Sequence, residues 1–180
     1  MKYCSAQRID FDTILPFTKP DYDSIINQGF NVRTLTSKNF KEGILSIYKI
    51  AGRAFQDSLS FVNISKDEFL YIYEDYKKIL DQIVIQIISN KNGDGVGFCS
   101  SLIDPLNKKT IILKTIGILP QYQSRKIGAA LLYEQHRNAQ EIGIIKEIYA
   151  LIRMDNIITK LPYKGIELIR QYVLLEKNIN

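Results

Sequence analysis

With 180 residues, 46% of them hydrophobic and 24% charged, the chain is long enough to bury a substantial core and too apolar to be disordered over most of its length. A net charge of +5 suits an anionic cofactor without demanding nucleic acid, and the runs of aromatics interleaved with arginine that base stacking needs are missing, so no nucleic-acid partner is expected. Cys4 and Cys99 stand far apart with no ligand-pair spacing, which argues against a disulfide framework and a zinc site; both thiols are expected buried and no metal is expected.

No run of eighteen apolar residues occurs and residues 1–10 lack the apolar centre of a signal peptide, so the expectation is a cytoplasmic protein with no membrane partner. Residues 1–28 carry Pro16, Pro20 and several aspartates with little periodicity, and read as an irregular N-terminal arm packed on a domain formed by residues 29–180. Residues 29–35 alternate as a strand, after which Phe40, Ile44, Ile47, Tyr48, Ala51 and Phe55 recur at helical spacing. Ser65-Lys66-Asp67-Glu68 is a capping-box signature that opens a second helix reaching Leu80.

Residues 83–88 and 96–103 read as two strands of a hairpin joined by Asn90-Lys91-Asn92-Gly93-Asp94-Gly95. No helix follows these glycines, so they mark a turn and not a dinucleotide loop. After the turn at Asp104-Pro105-Leu106-Asn107, residues 111–119 form a long apolar strand. A helix is predicted over 126–142, with Ile127, Ala130, Leu131, Ala139 and Ile142 facing inward, then a strand over 147–153. A short helical piece after Asn156, interrupted by Pro162, precedes a last strand over 167–176.

The stretch from Ile118 to Leu131 carries the strongest chemical signal, because an apolar strand ends in a tight basic loop that opens at once into an amphipathic helix. The first N–H groups of a helix have no internal partner and the macrodipole adds partial positive charge there, so such a junction can seat phosphate oxygens. Gly128 removes a Cβ where a ligand could approach.

Gln123-Ser124-Arg125-Lys126-Ile127-Gly128 resembles the Gln/Arg-x-x-Gly-x-Gly/Ala loop with which the GCN5-related N-acetyltransferases hold the diphosphate of acetyl-CoA, and Pro120 stands where that family usually has proline. Lys126 replaces the middle glycine and Ser124 another frequent one. Such a substitution fits a loop that does not need positive φ there, and the lysine ammonium could approach a phosphate. The order of predicted elements over about residues 29 to 177 is also similar to the family's.

The resemblance implies a mixed α/β fold: a mostly antiparallel twisted sheet flanked by helices and splayed between its fourth and fifth strands. It implies acetyl-CoA as cosubstrate, held by Gln123, Ser124, Arg125, Lys126, Ile127, Gly128 and Ala129, with strand-edge groups near Thr115, Ile116 and Ile118 facing the pantetheine. Asn156 and Tyr163 match the spacing of a cofactor-contacting asparagine and of the tyrosine that protonates the departing thiolate, although Lys164 alone separates Tyr163 from Gly165 where three residues are usual. Tyr172 is the competing phenol, and Tyr149 could face the acyl group.

No carboxylate stands out as a base: Glu147, Asp104, Asp57 and Glu68 read as solvated charges, and His136 as a solvent-facing helical residue. The implied activity is direct transfer of an acetyl group to a primary amine, on a small molecule or a peptide, in a ternary complex. The alternative is a catalytically weak CoA-binding or sensing module, and a homodimer is left open.

Overall fold

The computed structural model describes residues 2–58, 61–154 and 165–175. In chain order these form β1 (Lys2–Arg8), α1 (Phe11–Asn27), β2 (Asn31–Thr34), α2 (Phe40–Ala54), α3 (Lys66–Glu74), β3 (Ile83–Ser89), β4 (Gly95–Ile103), β5 (Thr110–Ile118), α4 (Ile127–Glu141), β6 (Lys146–Arg153) and β7 (Glu167–Val173). The strands make one sheet in the order β2-β3-β4-β5-β6-β1-β7, antiparallel throughout except for β5 and β6. The mixed α/β, mostly antiparallel architecture expected from the sequence is present. The hairpin at Asn90–Gly95 and the buried thiols are present too.

α2, α3 and α4 form where the spacing of apolar residues predicts them, with adjusted ends, and the short helical piece expected after Asn156 lies outside the described residues. Ser65 Oγ accepts the Glu68 backbone N–H at 3.1 Å, so the capping box opens α3. The regular helix stops at Glu74 and tightens into a 3-10 segment over Asp75–Ile79. Ile142, expected inward, ends α4 with its side chain in solvent.

Residues 2–27 are not an irregular arm. β1 is an interior strand, paired antiparallel with both β6 and β7. α1 continues through Pro16 and Pro20, both on its exposed side, while Phe11, Ile14, Thr18 and Ile25 are buried. A proline inside a helix costs the hydrogen bond to the carbonyl four residues back. Here the carbonyls so released, those of Asp12 and Pro16, lie on the exposed side of the helix where water can serve them, so the helix persists.

α2 and α4 cover opposite faces of the sheet. A Cβ on Gly117 would meet Phe55 beyond the end of α2, whereas one on Gly128 of α4 would meet Ile116 and Ile118, whose side chains point to the other face. α1 packs on α4, so the second face is two helices wide.

Three bulges cross the sheet at one level. Lys114 is the extra residue of β5 between Leu113 and Thr115, Ala150 and Leu151 of β6 together oppose Ser5, and Ile169 is extra in β7. Directly before them, Ser101, Leu113, Tyr149, Ala6 and Leu168 stand in register across five strands. A bulge bends its strand and sharpens its twist. β5 and β6 pair only from Thr110–Lys146 to Leu113–Tyr149 and part where the bulges begin.

Candidate functional site

The end of β5 passes through the 3-10 turn Pro120–Tyr122 into the start of α4. Ser124 has φ +59° and Lys126 φ +63°, while Arg125 between them has negative φ. The sequence expectation that lysine is tolerated because the loop avoids positive φ is therefore corrected: the loop adopts the left-handed conformation at both non-glycine positions. Alternating signs of φ turn successive backbone N–H groups toward one concavity, the arrangement that receives anions.

Lys126 occupies the N-cap position of α4, and among the described residues no side chain caps this helix. An ammonium can only donate, so the first-turn N–H groups of Ile127, Gly128 and Ala129 gain no acceptor from it. The Lys126 ammonium lies 2.5 Å from Asp21 Oδ1 of α1, so it faces a carboxylate of its own chain. Gln123 Nε2 donates to the Ile118 carbonyl at 3.2 Å, tying the loop to the end of β5. The Arg125 guanidinium lies 5.6 Å from the centre of the Tyr122 ring, and Asn90 Nδ2 donates to the Tyr122 hydroxyl at 3.2 Å.

A Cβ on Gly128 would lie 3.3 Å from Ile118 Cδ1 and 3.9 Å from Ile116 Cδ1. Glycine lets α4 approach β5 closely and leaves Ile116 and Ile118 only half-buried. These two residues occupy the part of β5 that β6 no longer pairs, so the loop and the parted strands adjoin.

Tyr172, on β7, is separated from β5 by β1 and β6. Its hydroxyl accepts from Ser5 Oγ at 3.3 Å, and Ser5 Oγ in turn accepts the backbone N–H of Leu151 at 3.2 Å, so Ser5 links Tyr172 to β6. Asn156 and Tyr163 lie outside the described residues.

Two residues read from sequence as solvated are deeply buried. His136 Nε2 is 2.7 Å from Glu147 Oε2 and 2.8 Å from the Tyr149 hydroxyl, and Glu147 has no solvent exposure. The cause is the N-terminal segment: α1 covers α4, placing Phe11 5.8 Å from the His136 ring, and β1 sets Arg8 opposite Glu147. Arg8 also pairs with Asp10 at 2.7 Å. Burial pushes the Tyr149 phenol well above its ordinary value, the Glu147 charge adds to the rise, and Arg8 opposes it. Beside this cluster a cavity of about 20 Å³ is lined by Arg8, Thr18, His136 and Tyr149, room for one water-sized group and not for a substrate.

The sequence pattern of the acetyltransferase (GNAT) family matches residues 45–161, more than half of the chain, and the chain belongs to that family. Its fold is similar to three solved structures. One is AAC(6')-Iy in complex with the bisubstrate analog CoA-S-monomethyl-acetylneamine, 16% identical with a TM-score of 0.58, over 83% of this chain and 99% of that one. Another is the GCN5-related glucosamine N-acetyltransferase region of a fungal multi-domain GH3 beta-N-acetylglucosaminidase, 11% identical with a TM-score of 0.63, over 96% of this chain and 20% of that one. The third is L-PGS from Bacillus licheniformis, 12% identical with a TM-score of 0.58, over 87% of this chain and 48% of that one. The chain thus spans less than half the length of the last two. Identities this low establish a shared fold. A comparison with curated proteins finds no match. Among the described residues no helix is long and apolar enough to cross a membrane.

Proposed function

We propose that the chain is an acetyl-CoA-dependent N-acetyltransferase acting on a primary amine, of a small molecule or a peptide, by direct transfer in a ternary complex. The observation that carries this reading is the parting of β5 from β6 immediately below the loop at the start of α4, which has positive φ at Ser124 and Lys126 and, among the described residues, no side-chain cap. The residues fit the cosubstrate. Backbone N–H groups from Ser124 to Ala129 supply donors for a diphosphate, and the edge of β5 from Thr115 to Ile118, which among the described residues β6 does not pair, supplies the groups that an extended diamide such as pantetheine pairs with. AAC(6')-Iy, which shares the fold, was solved with a CoA-containing bisubstrate analog.

In this reading the amine lone pair attacks the thioester carbonyl carbon, the C–N bond forms, the C–S bond breaks, the sulfur leaves with a proton from a phenol, and the proton that the nitrogen sheds passes to water, from which the phenolate is reprotonated. Tyr163 takes that role from its spacing after Asn156, and Tyr172 is two strands from the gap. Backbone donors at the Lys114 bulge would polarise the carbonyl, so catalysis is mainly positioning and fixed dipoles.

The test has two arms. Coenzyme A should raise the melting temperature of the wild-type chain, and Gly128→Asp, which sets a carboxylate beside Ile118 and against the diphosphate, should abolish that rise. An equal shift in both proteins would remove this loop from the cosubstrate site. Thiol release from acetyl-CoA across a panel of primary amines then separates an enzyme from a CoA-binding module: release that depends on an amine and on Tyr163 supports transfer, and binding without release supports the module.

A further inference from the structure

We infer that Ser5 is a positioning residue that holds β6 turned away from β5, and so sets the width of the gap in which the cosubstrate would lie. The inference rests on the cosubstrate reading above and adds to it a residue from the N-terminal strand.

Ser5 faces two β6 residues, Ala150 and Leu151, between the regular pairs Ala6–Tyr149 and Cys4–Ile152. The extra residue takes one β6 N–H out of the ladder with β1, and that group needs another acceptor. Ser5 Oγ is that acceptor, 3.2 Å from the Leu151 nitrogen. Leu151 itself has φ +51°, a conformation that a residue with a Cβ adopts only when its surroundings over-determine it.

Ser5 is buried and its own hydrogen goes to the Tyr172 hydroxyl, so the oxygen is fixed from both sides by β6 and β7. Without the hydroxyl, Leu151 has lost the bond that opposes its relaxation to negative φ. β6 would then straighten and close on the unpaired edge of β5 beyond Leu113.

The experiment measures coenzyme A affinity by calorimetry on the full chain, with melting curves to show that each variant is folded. Ser5→Ala should weaken binding about tenfold, the size expected when one buried hydrogen bond is lost. Ser5→Ala combined with Leu151→Gly should bind within about twofold of wild type, because glycine holds positive φ unaided. A purely packing role for Ser5 would not be rescued by a second substitution that removes a side chain. Should Ser5→Ala not fold, Ser5→Cys, whose sulfur is a weak acceptor, enters the same comparison.

Wild-type binding that Ser5→Ala leaves unchanged, or a loss that Leu151→Gly fails to restore, overturns this inference alone. Failure of the wild-type chain to bind coenzyme A overturns the cosubstrate reading together with it.

Discussion

Lys126 shows what a single backbone angle decides. A side chain at φ +63° costs roughly 1 kcal/mol relative to glycine, while its pairing with Asp21 is half-exposed and contributes less than about 1 kcal/mol. Lys126→Gly should therefore raise folding stability slightly, by about 0.5 kcal/mol in urea unfolding; a clear loss would mean that the Asp21 contact outweighs the strain. The loop's place was legible because Gln123, Gly128 and Pro120 stand at recognisable positions, but no feature of the sequence announces that a lysine and a serine take up left-handed conformations.

His136 and Glu147 were legible as residue types and not as neighbours, since their contact depends on α1 and β1 covering them. His136→Ala empties a buried site and removes the imidazole that lies against Glu147 and Tyr149, so it should cost about 3 kcal/mol in denaturant unfolding. A cost near zero would show the pair to be incidental. Burial holds the Cys99 thiol above its ordinary value near 9 and the Tyr149 phenol above its ordinary value near 10. At these two groups the folded chain keeps protons that the unfolded chain releases, so the stability they contribute is full below about pH 9 and is lost as pH rises beyond it. Cys99→Val together with Tyr149→Phe should flatten that decline, measured by urea unfolding from pH 8 to 11.

At the scale of elements, α1 separates a rule from its application. Its buried positions 11, 14, 18 and 25 follow helical spacing, yet Pro16 and Pro20 carry the opposite message, and that message prevails in a reading without tertiary context. The prolines are harmless because they sit on the side away from α4. β1 was unreadable for another reason: Lys2–Arg8 mixes charged, polar and small residues without a run of branched apolar ones, and it becomes a strand through the partners on both its edges. A chain lacking residues 1–28 should not fold, with the dispersed amide signals of the full chain lost in its NMR spectrum. A dispersed spectrum would make the segment the accessory arm that its composition suggests.

For the molecule as a whole, the row of bulges marks the level at which the sheet opens. Regular pairing from Thr110 to Leu113 holds β5 and β6 together at one end, and the extra residues at Lys114 and at Ala150–Leu151 drive them apart at the other, toward the loop that opens α4. The order of strands and helices from residue 29 to Arg153 was legible because hydrophobic period separates them. The bulges were not, since an extra residue in a strand changes register without changing composition. The most direct measurement is a crystal structure determined with acetyl-CoA. The account predicts the diphosphate within hydrogen-bonding distance of backbone N–H groups between Ser124 and Ala129, with the pantetheine lying between β5 and β6. A diphosphate bound elsewhere, or β5 and β6 paired along their whole length beneath it, would contradict the account.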